Sequence, residues 1–238
     1  MPLEVLVTGS RGAIGRVTTT ALRARGHRIR GVDRRPSEHA DDVVADLQDR
    51  AAIDLAMRGV AAVVHLGATP DRADFVADLV PNNVIGSWQI YDSAVAAGAT
   101  RMIYASSCRT VHGRSWKGML RADDALAPAD EYGLTKEFGE RMGAYFARRH
   151  GLAVIAMRIG WLVRTADEKA HVGKRGSDLY LSWDDCARFV VAAVEGVWSG
   201  FHALFAVGPA GAARYDLEPA RALLGWQPRD HWPEGTPL

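Results

Sequence analysis

The stretch EVLVTGSRGAIG, residues 4–15, decides the fold. An aliphatic, β-branched run ends at Thr8. Three glycines, Gly9, Gly12 and Gly15, then follow at three-residue spacing as a helical pattern begins. A buried strand entering a glycine turn that opens a helix is how dinucleotide folds hold a pyrophosphate. Glycine permits the tight turn, the close approach of backbone to phosphate and the close packing of helix on sheet. The helix N-terminus adds free N–H groups and a partial positive charge. A glycine triplet alone can be a mere turn, but here the context is right. Asp33 ends the second apolar run, 18 residues beyond Gly15, where a carboxylate can accept hydrogen bonds from both hydroxyls of an adenosine ribose.

Outward from this stretch, short β-branched runs alternate with longer helical patterns. Strands are expected at HRIRGVD, DDVVADL, AAVVHLGA, RMIYASS and LAVIAMRIG, with helices over residues 13–26, 74–97 and 130–150. Strands separated by helices give right-handed crossovers, and so an α/β, doubly wound parallel sheet of the Rossmann type. Beyond Gly160 the pattern predicts a polar loop over 161–180, a helix over 183–196, a strand over 201–208 and a short helix over 216–224. The expected organisation is a dinucleotide-binding domain over 1–160, with 161–238 forming a small substrate-binding lobe that is not an independent domain.

The composition fits one globular chain: 48% hydrophobic, 24% charged and a net charge of +1 over 238 residues. That balance gives no electrostatic argument for nucleic acid, and no apolar run reaches the 18 residues of a membrane span. Two cysteines make no disulfide framework, so a reducing cytoplasm is the expected compartment. The first strand begins near residue 3, which leaves no room for a leader. The eight histidines show no ligand spacing, so no metal is expected.

Tyr132 and Lys136 lie four apart on a predicted helix, so both side chains leave one face. A free phenol titrates near 10, too high for a base near neutrality. A neighbouring ammonium and a positively charged nicotinamide would both favour the phenolate. This pair follows the fifth strand, which ends in Ser107, a hydroxyl able to steady a developing oxyanion. A Tyr/Lys pair alone would be unremarkable helix surface; beside Ser107 it lines the crevice at the strand ends. Arg34 and Arg35 either form a solvated turn or hold a ribose phosphate. Asp46 and Leu47 either meet the adenine or merely end a surface strand.

Together these residues resemble the extended short-chain dehydrogenase/reductase family, also described as NAD-dependent epimerase/dehydratase-like proteins. The marks are TGSRGAIG, Asp33, Asp46-Leu47, HLGA at 65–68, Asn83 in NNVIG, Ser107, YGLTK and LGWQP. The resemblance implies NAD as cofactor and Tyr132 as general base. It implies that Lys136 is the base's partner and ribose anchor, and that Ser107 is the oxyanion-side donor. Cofactor contacts are then expected from Gly9, Arg11, Gly12, Ile14, Gly15, Asp33, Asp46, Leu47, Leu66, Gly67, Ala68, Asn83, Tyr132 and Lys136. Within the family the pattern is most similar to the uronate dehydrogenases. That implies oxidation of an anionic, sugar-acid-like alcohol or hemiacetal, and substrate contacts from Thr69, Ser107, Cys108, Arg109 and Arg175. Arg175 stands seven residues before SWDD, where relatives grip a carboxylate. Cys108-Arg109 replaces the Asn-His of those relatives, which puts the choice of substrate in doubt. Arg109 and Arg175 are read as receptors for an anion. The alternatives are a sugar-nucleotide epimerase or reductase, and a non-catalytic NAD(P)-binding sensor. The resemblance also implies a homodimer or higher homo-oligomer, paired through helices 74–97 and 130–150.

Overall fold

The computed structural model describes residues 1–114, 118–175 and 177–236, leaving aside the side chains of residues 173–175. Its centre is a seven-stranded parallel sheet of β1 (Glu4–Thr8), β2 (Arg28–Asp33), β3 (Val43–Val44), β4 (Ala62–His65), β5 (Arg101–Ser107), β6 (Ala153–Ile159) and β7 (Phe201–Ala206). The strand order is β3-β2-β1-β4-β5-β6-β7, with every neighbouring pair parallel. The chain moves outward one way from β1 and then the other way from β4. The crevice outside the carboxyl ends of those two strands is therefore the binding position of this topology. Helices cover both faces, which is why Val5, Leu6 and Val7 are all fully buried and β1 reads as a continuous aliphatic run.

One core lies under α1 (Ala13–Ala24) and α6 (Trp183–Glu195), where Leu22, Phe189 and Val190 meet Val5, Val7 and Ile155. The opposite core lies under α2 (Arg50–Met57), α3 (Ser87–Ala96) and α4 (Glu131–His150), where Ile53, Ile90 and Phe146 meet Leu6, Val63 and Val154. Helix α4 starts on Asp130, whose side chain accepts from the Gly133 N–H at 2.7 Å, and stops on Gly151 in the left-handed region at φ 71°. It lies hard against β5: a Cβ on Gly139 would come within 2.0 Å of the Tyr104 hydroxyl.

Three elements depart from the sequence reading. The expected helix over 74–97 is a π-helix at Phe75–Gly86 followed by α3. Pro81 accounts for the wider winding, because its missing N–H and its ring do not fit an α-helical interior. Helix α2 was not anticipated, although its signals exist: Asp49 caps it, and Ile53, Ala56 and Met57 recur at helical spacing. The expected loop over 161–180 contains α5 (Ala166–Arg175), opened by Thr165, whose hydroxyl accepts the Glu168 N–H at 3.2 Å. Residues beyond 160 contribute β7 to the main sheet and α6 to its cover, besides a small cluster of Val163, Val172 and Tyr180. A last helix, α7 (Glu218–Leu224), closes the chain. Among the described residues no helix is long and apolar enough to cross a membrane.

Candidate active site

Gly9 turns the chain at φ 65°, and a Cβ there would stand 2.8 Å from the Gly67 backbone nitrogen. A Cβ on Gly15 would stand 2.1 Å from the Gly9 carbonyl, so this glycine lets α1 rise directly from the turn. Helix α1 begins at Gly12 with no side-chain cap and no acidic residue in its first turn. By contrast Asp49, Asp130 and Ser182 close the N-termini of α2, α4 and α6. The amides left open at α1, above a cradle stripped of Cβ atoms, suit a pyrophosphate. The crevice in front is walled by Gly9, Gly12, Asp33, Asp46, Leu47, Leu66, Gly67, Ala68 and Thr69, with Arg34, Arg35 and Asn82 on its rim. These residues fit a dinucleotide.

Arg11, Ile14, Gly15, Asn83, Tyr132 and Lys136 do not wall that crevice. Arg11 acts through its backbone, whose N–H donates to Asp33 Oδ2 at 2.9 Å. Ile14 packs against the core under α1. Asn83 is fully buried, and its amide is spent on other groups. Its Oδ1 accepts the Thr69 N–H at 2.8 Å, while Nδ2 donates to the Thr69 carbonyl at 3.0 Å and to Thr135 Oγ1 at 3.2 Å. Expected as a cofactor contact, Asn83 instead ties the loop after β4 to α4, and orders the crevice from behind.

Asp33 is already well supplied with donors. Its Oδ1 accepts the Arg35 N–H at 3.0 Å and Arg35 Nε at 3.1 Å. Burial alone would raise its carboxyl, but the bonds from Arg35 and Arg11 outweigh burial and hold it below the usual range. Arg34 lies 3.9 Å from Asp46. His65 is a structural residue: Nδ1 meets Thr8 Oγ1 at 2.6 Å, Nε2 meets Ser87 Oγ at 3.1 Å, and burial holds its imidazole down at about 3.

Beyond that crevice, α4 brings Tyr132 and Lys136 to the end of β5. Lys136 is buried and donates from Nζ to the Ala105 carbonyl at 2.8 Å, with Nζ 5.5 Å from the centroid of the Tyr132 ring. Gly133 lies so close to the turn after β5 that a Cβ would sit 2.8 Å from the Arg109 carbonyl. Ser107 is half-buried, and its Oγ accepts the Arg109 N–H at 3.2 Å, so its own proton is turned elsewhere and remains available to an acceptor. Burial holds Lys136 down at about 7. Burial, and then Asp71, push Tyr132 up to about 12 against the opposing pull of Arg109 and Arg164. The expected depression of the phenol by its lysine is thus absent among this chain's own groups. Burial leaves Lys136 only about half protonated near neutrality.

Two expected substrate contacts need correction. Cys108 opens a 3-10 turn and faces away from the crevice: it is 1% exposed, packs with Val111, Phe205 and Tyr215, and donates to the Arg158 carbonyl at 3.4 Å. Arg109 is not an unanswered cation. Its Nη2 donates to Asp71 Oδ2 at 2.6 Å, and its Nη1 donates to Asp130 Oδ2. Arg175 ends α5, but its side chain lies outside the described residues. Asp71 and Asp130, which the sequence did not single out, act on the Tyr132 phenol together with Arg109 and Arg164. Only Asp130 carried a signal, as a helix cap three residues before Gly133. Among the described residues no group of three or more His, Cys, Asp or Glu could hold a metal.

A family model described as the NAD dependent epimerase/dehydratase family matches residues 5–164. L-arabinose 1-dehydrogenase (NAD(P)(+)) of Haloferax volcanii is 32% identical over 96% of this chain and 97% of its own length. Uronate dehydrogenase of Pseudomonas syringae pv. tomato is 29% identical over 80% of this chain and 69% of its own. Among solved structures, a mutant of uronate dehydrogenase from Agrobacterium tumefaciens complexed with NAD superposes with a TM-score of 0.84 at 25% identity, covering 97% of this chain and 86% of that one.

Proposed function

The chain belongs to the NAD-dependent epimerase/dehydratase family, and on that premise we propose that it is an NAD-dependent dehydrogenase oxidising a sugar acid, or a similar singly anionic sugar, at an alcohol or hemiacetal carbon. The observation that carries this reading is that Lys136, beside the Tyr132 ring on α4, bonds the Ala105 carbonyl near Ser107 at the carboxyl end of β5, on the same edge of the sheet as the glycine cradle. Gly9, Gly12 and the open amides of α1 would hold the pyrophosphate, Asp33 the adenosine ribose, and Lys136 the nicotinamide ribose. Bound NAD would supply the hydride acceptor and a positive charge beside the phenol. Tyr132 takes the proton of the substrate hydroxyl, and Ser107 donates to the same oxygen. Lys136 donates to the Ala105 carbonyl and so fixes the face of α4 against β5. Arg175, at the end of α5, would grip the substrate carboxylate. Asp33 carries negative charge where NADP carries its extra phosphate, which favours NAD. A second copy of the chain would cover the exposed apolar face of the π-helix and α4, and the cytoplasm is the compartment that suits two buried, unpaired cysteines.

The test is a screen of sugar acids, sugar phosphates and sugar nucleotides with NAD and with NADP, run alongside Tyr132→Phe. Sugar-acid oxidation with NAD is expected, with turnover lowered by two or more orders of magnitude in Tyr132→Phe, on the order of general-base contributions, and NAD binding spared. Turnover of sugar nucleotides alone would move the reading to an epimerase or reductase. Near wild-type turnover in Tyr132→Phe would remove the assigned mechanism.

A further inference from the structure

We propose that Arg109 is a positioning residue, and that the Asp71–Arg109–Asp130 bridge clamps the loop after β4 onto the N-terminus of α4 and so sets the place of Tyr132. Arg109 meets a different carboxylate with each terminal nitrogen, Asp71 through Nη2 and Asp130 through Nη1. Asp130 already caps α4 through its other oxygen, which accepts the Gly133 N–H at 2.7 Å. The guanidinium thus bears on the residue that fixes the first turn of the helix carrying Tyr132.

The far end of the bridge is equally fixed. Thr69 is held by Asn83 and Asn82, and Asp74 caps the π-helix by accepting the Ala77 N–H at 2.7 Å. Between these anchors Arg72 lies at φ 69°, a left-handed conformation that a side chain adopts only where its surroundings impose it. Asp71, the residue before it, supplies the contact to Arg109 between the two anchored ends. Charge leads to the same reading. Asp71, Asp130, Arg109 and Arg164 act on the Tyr132 phenol, with Lys136 beside its ring, and Arg164 is answered by Glu168 at 2.6 Å. Both guanidiniums are therefore already neutralised by carboxylates of this chain. An anionic substrate would compete with Asp71 and Asp130 for both terminal nitrogens of Arg109, which disfavours Arg109 as the anion's receptor. This rests on the dehydrogenase reading for its kinetics but not for its structural consequence.

The test joins a readout that needs no substrate to one that does. Hydrogen–deuterium exchange is measured over residues 69–74 and 130–136 in wild type, Arg109→Gln, Arg109→Lys and Asp71→Asn, together with NAD affinity. Exchange is expected to quicken in both segments in Arg109→Gln, with NAD affinity within about threefold of wild type, because the bridge does not touch the glycine cradle. Arg109→Lys keeps the charge but cannot span two carboxylates, and should fall between. Unchanged exchange over 130–136 in Arg109→Gln would overturn the proposal even if no substrate is ever found. With a sugar acid and its uncharged counterpart, Arg109→Gln should lower kcat about tenfold or more on both and change KM little and equally, as expected for loss of alignment. A selective rise in KM for the acid with kcat preserved would make Arg109 the anion receptor instead. Asp71→Asn removes the carboxylate that opposes ionisation of Tyr132, so the rising limb of its kcat/KM–pH profile should move to lower pH. An unmoved or higher limb counts against the bridge.

Discussion

Asp33 and Arg35 hold one another in a forked ion pair whose arginine side chain is 58% exposed, and an incoming ribose must open it. Exposed pairs are weak, so opening costs little. On the proposed reading Asp33 would then accept from the ribose hydroxyls, and its carboxylate would repel a 2′-phosphate. Asp33→Ser should weaken NAD binding roughly tenfold to a hundredfold, the scale of a charged hydrogen bond, and narrow or reverse any preference over NADP. Fluorescence titrations of both cofactors at one ionic strength decide it; tighter NADP binding by the wild type would sink the assignment. Lys136 gives a second prediction, in stability. Burial holds its amine at about 7 against an ordinary 10.5, so the folded protein binds that proton less tightly than the unfolded chain. Between those values the unfolded chain carries more protons, and stability from this group rises with pH. Below about 7 the full cost of burying the charge is present. Lys136→Met should therefore show its largest gain in melting temperature, relative to wild type, near pH 6 and a shrinking gain towards about pH 10. A gain independent of pH would mean that the lysine is not strained by burial. The positions of both residues, at the end of β2 and on α4, were legible in the sequence, because local spacing and pattern set them. Cys108 was not, since the chain turns after Ser107 and points the next side chain into the core. Asp71 was not either, because a loop residue acquires its partner only through the tertiary fold.

Helix α4 carries Tyr132, Lys136 and Glu140 at successive four-residue steps, which is one face of a helix against β5 and β6. Glu140 and Arg158 are each 2% exposed and form a forked pair, with Arg158 Nε to Oε1 at 2.9 Å and Nη2 to Oε2 at 2.8 Å. Ser106 Oγ donates to the same Oε1 at 2.5 Å, so this pair joins the helix to the strand one residue before Ser107. A buried charge left without its partner is costly, whereas removing both charges can be nearly neutral. Glu140→Ala and Arg158→Ala should each cost about 3–5 kcal/mol in urea unfolding, and Glu140→Leu with Arg158→Met together far less than their sum. Additive losses would show that the two act separately. The sequence displayed this helix from cap to left-handed glycine, because Asp130 and Gly151 are local signals. It concealed the π-helix, since an apolar run with a single proline does not state how the chain will wind around it. Helices α2 and α5 were legible in their capping residues, Asp49 and Thr165, and were obscured by the polar residues around them.

The parallel sheet gathers the glycine turn, the loop after β4 and Ser107 at the carboxyl ends of β1, β4 and β5, and leaves the outer faces of the π-helix and α4 without an intramolecular cover. There Leu134 and Phe138 are 48% and 47% exposed, beside an apolar groove lined by Phe75, Val80 and Val84. Scattered apolar residues on a surface are ordinary, but adjoining aromatic and aliphatic side chains on two packed helices form a contiguous patch. Glu137 and Arg141 border the patch and pair with one another at 2.6 Å. Around a twofold axis the same two residues could pair reciprocally between copies, which is the self-complementarity that an isologous contact requires. A second copy is therefore the occupant expected. The wild type should sediment as a dimer at micromolar concentration, and Phe138→Glu, which places a charge in the middle of the patch, should sediment as a monomer with its circular dichroism unchanged. A monomeric wild type would leave this face to some other partner. The consequence reaches the active site, because Leu134 and Thr135 directly precede Lys136, and Thr135 receives the Asn83 bond that orders the crevice. If the face is an interface, the Phe138→Glu monomer should lose turnover as well as association, while the open amides of α1, on the far side of the crevice, should bind NAD as before. Full turnover in a monomer would separate assembly from catalysis and leave the bonds from Asn83 and Lys136 sufficient to hold α4 in place.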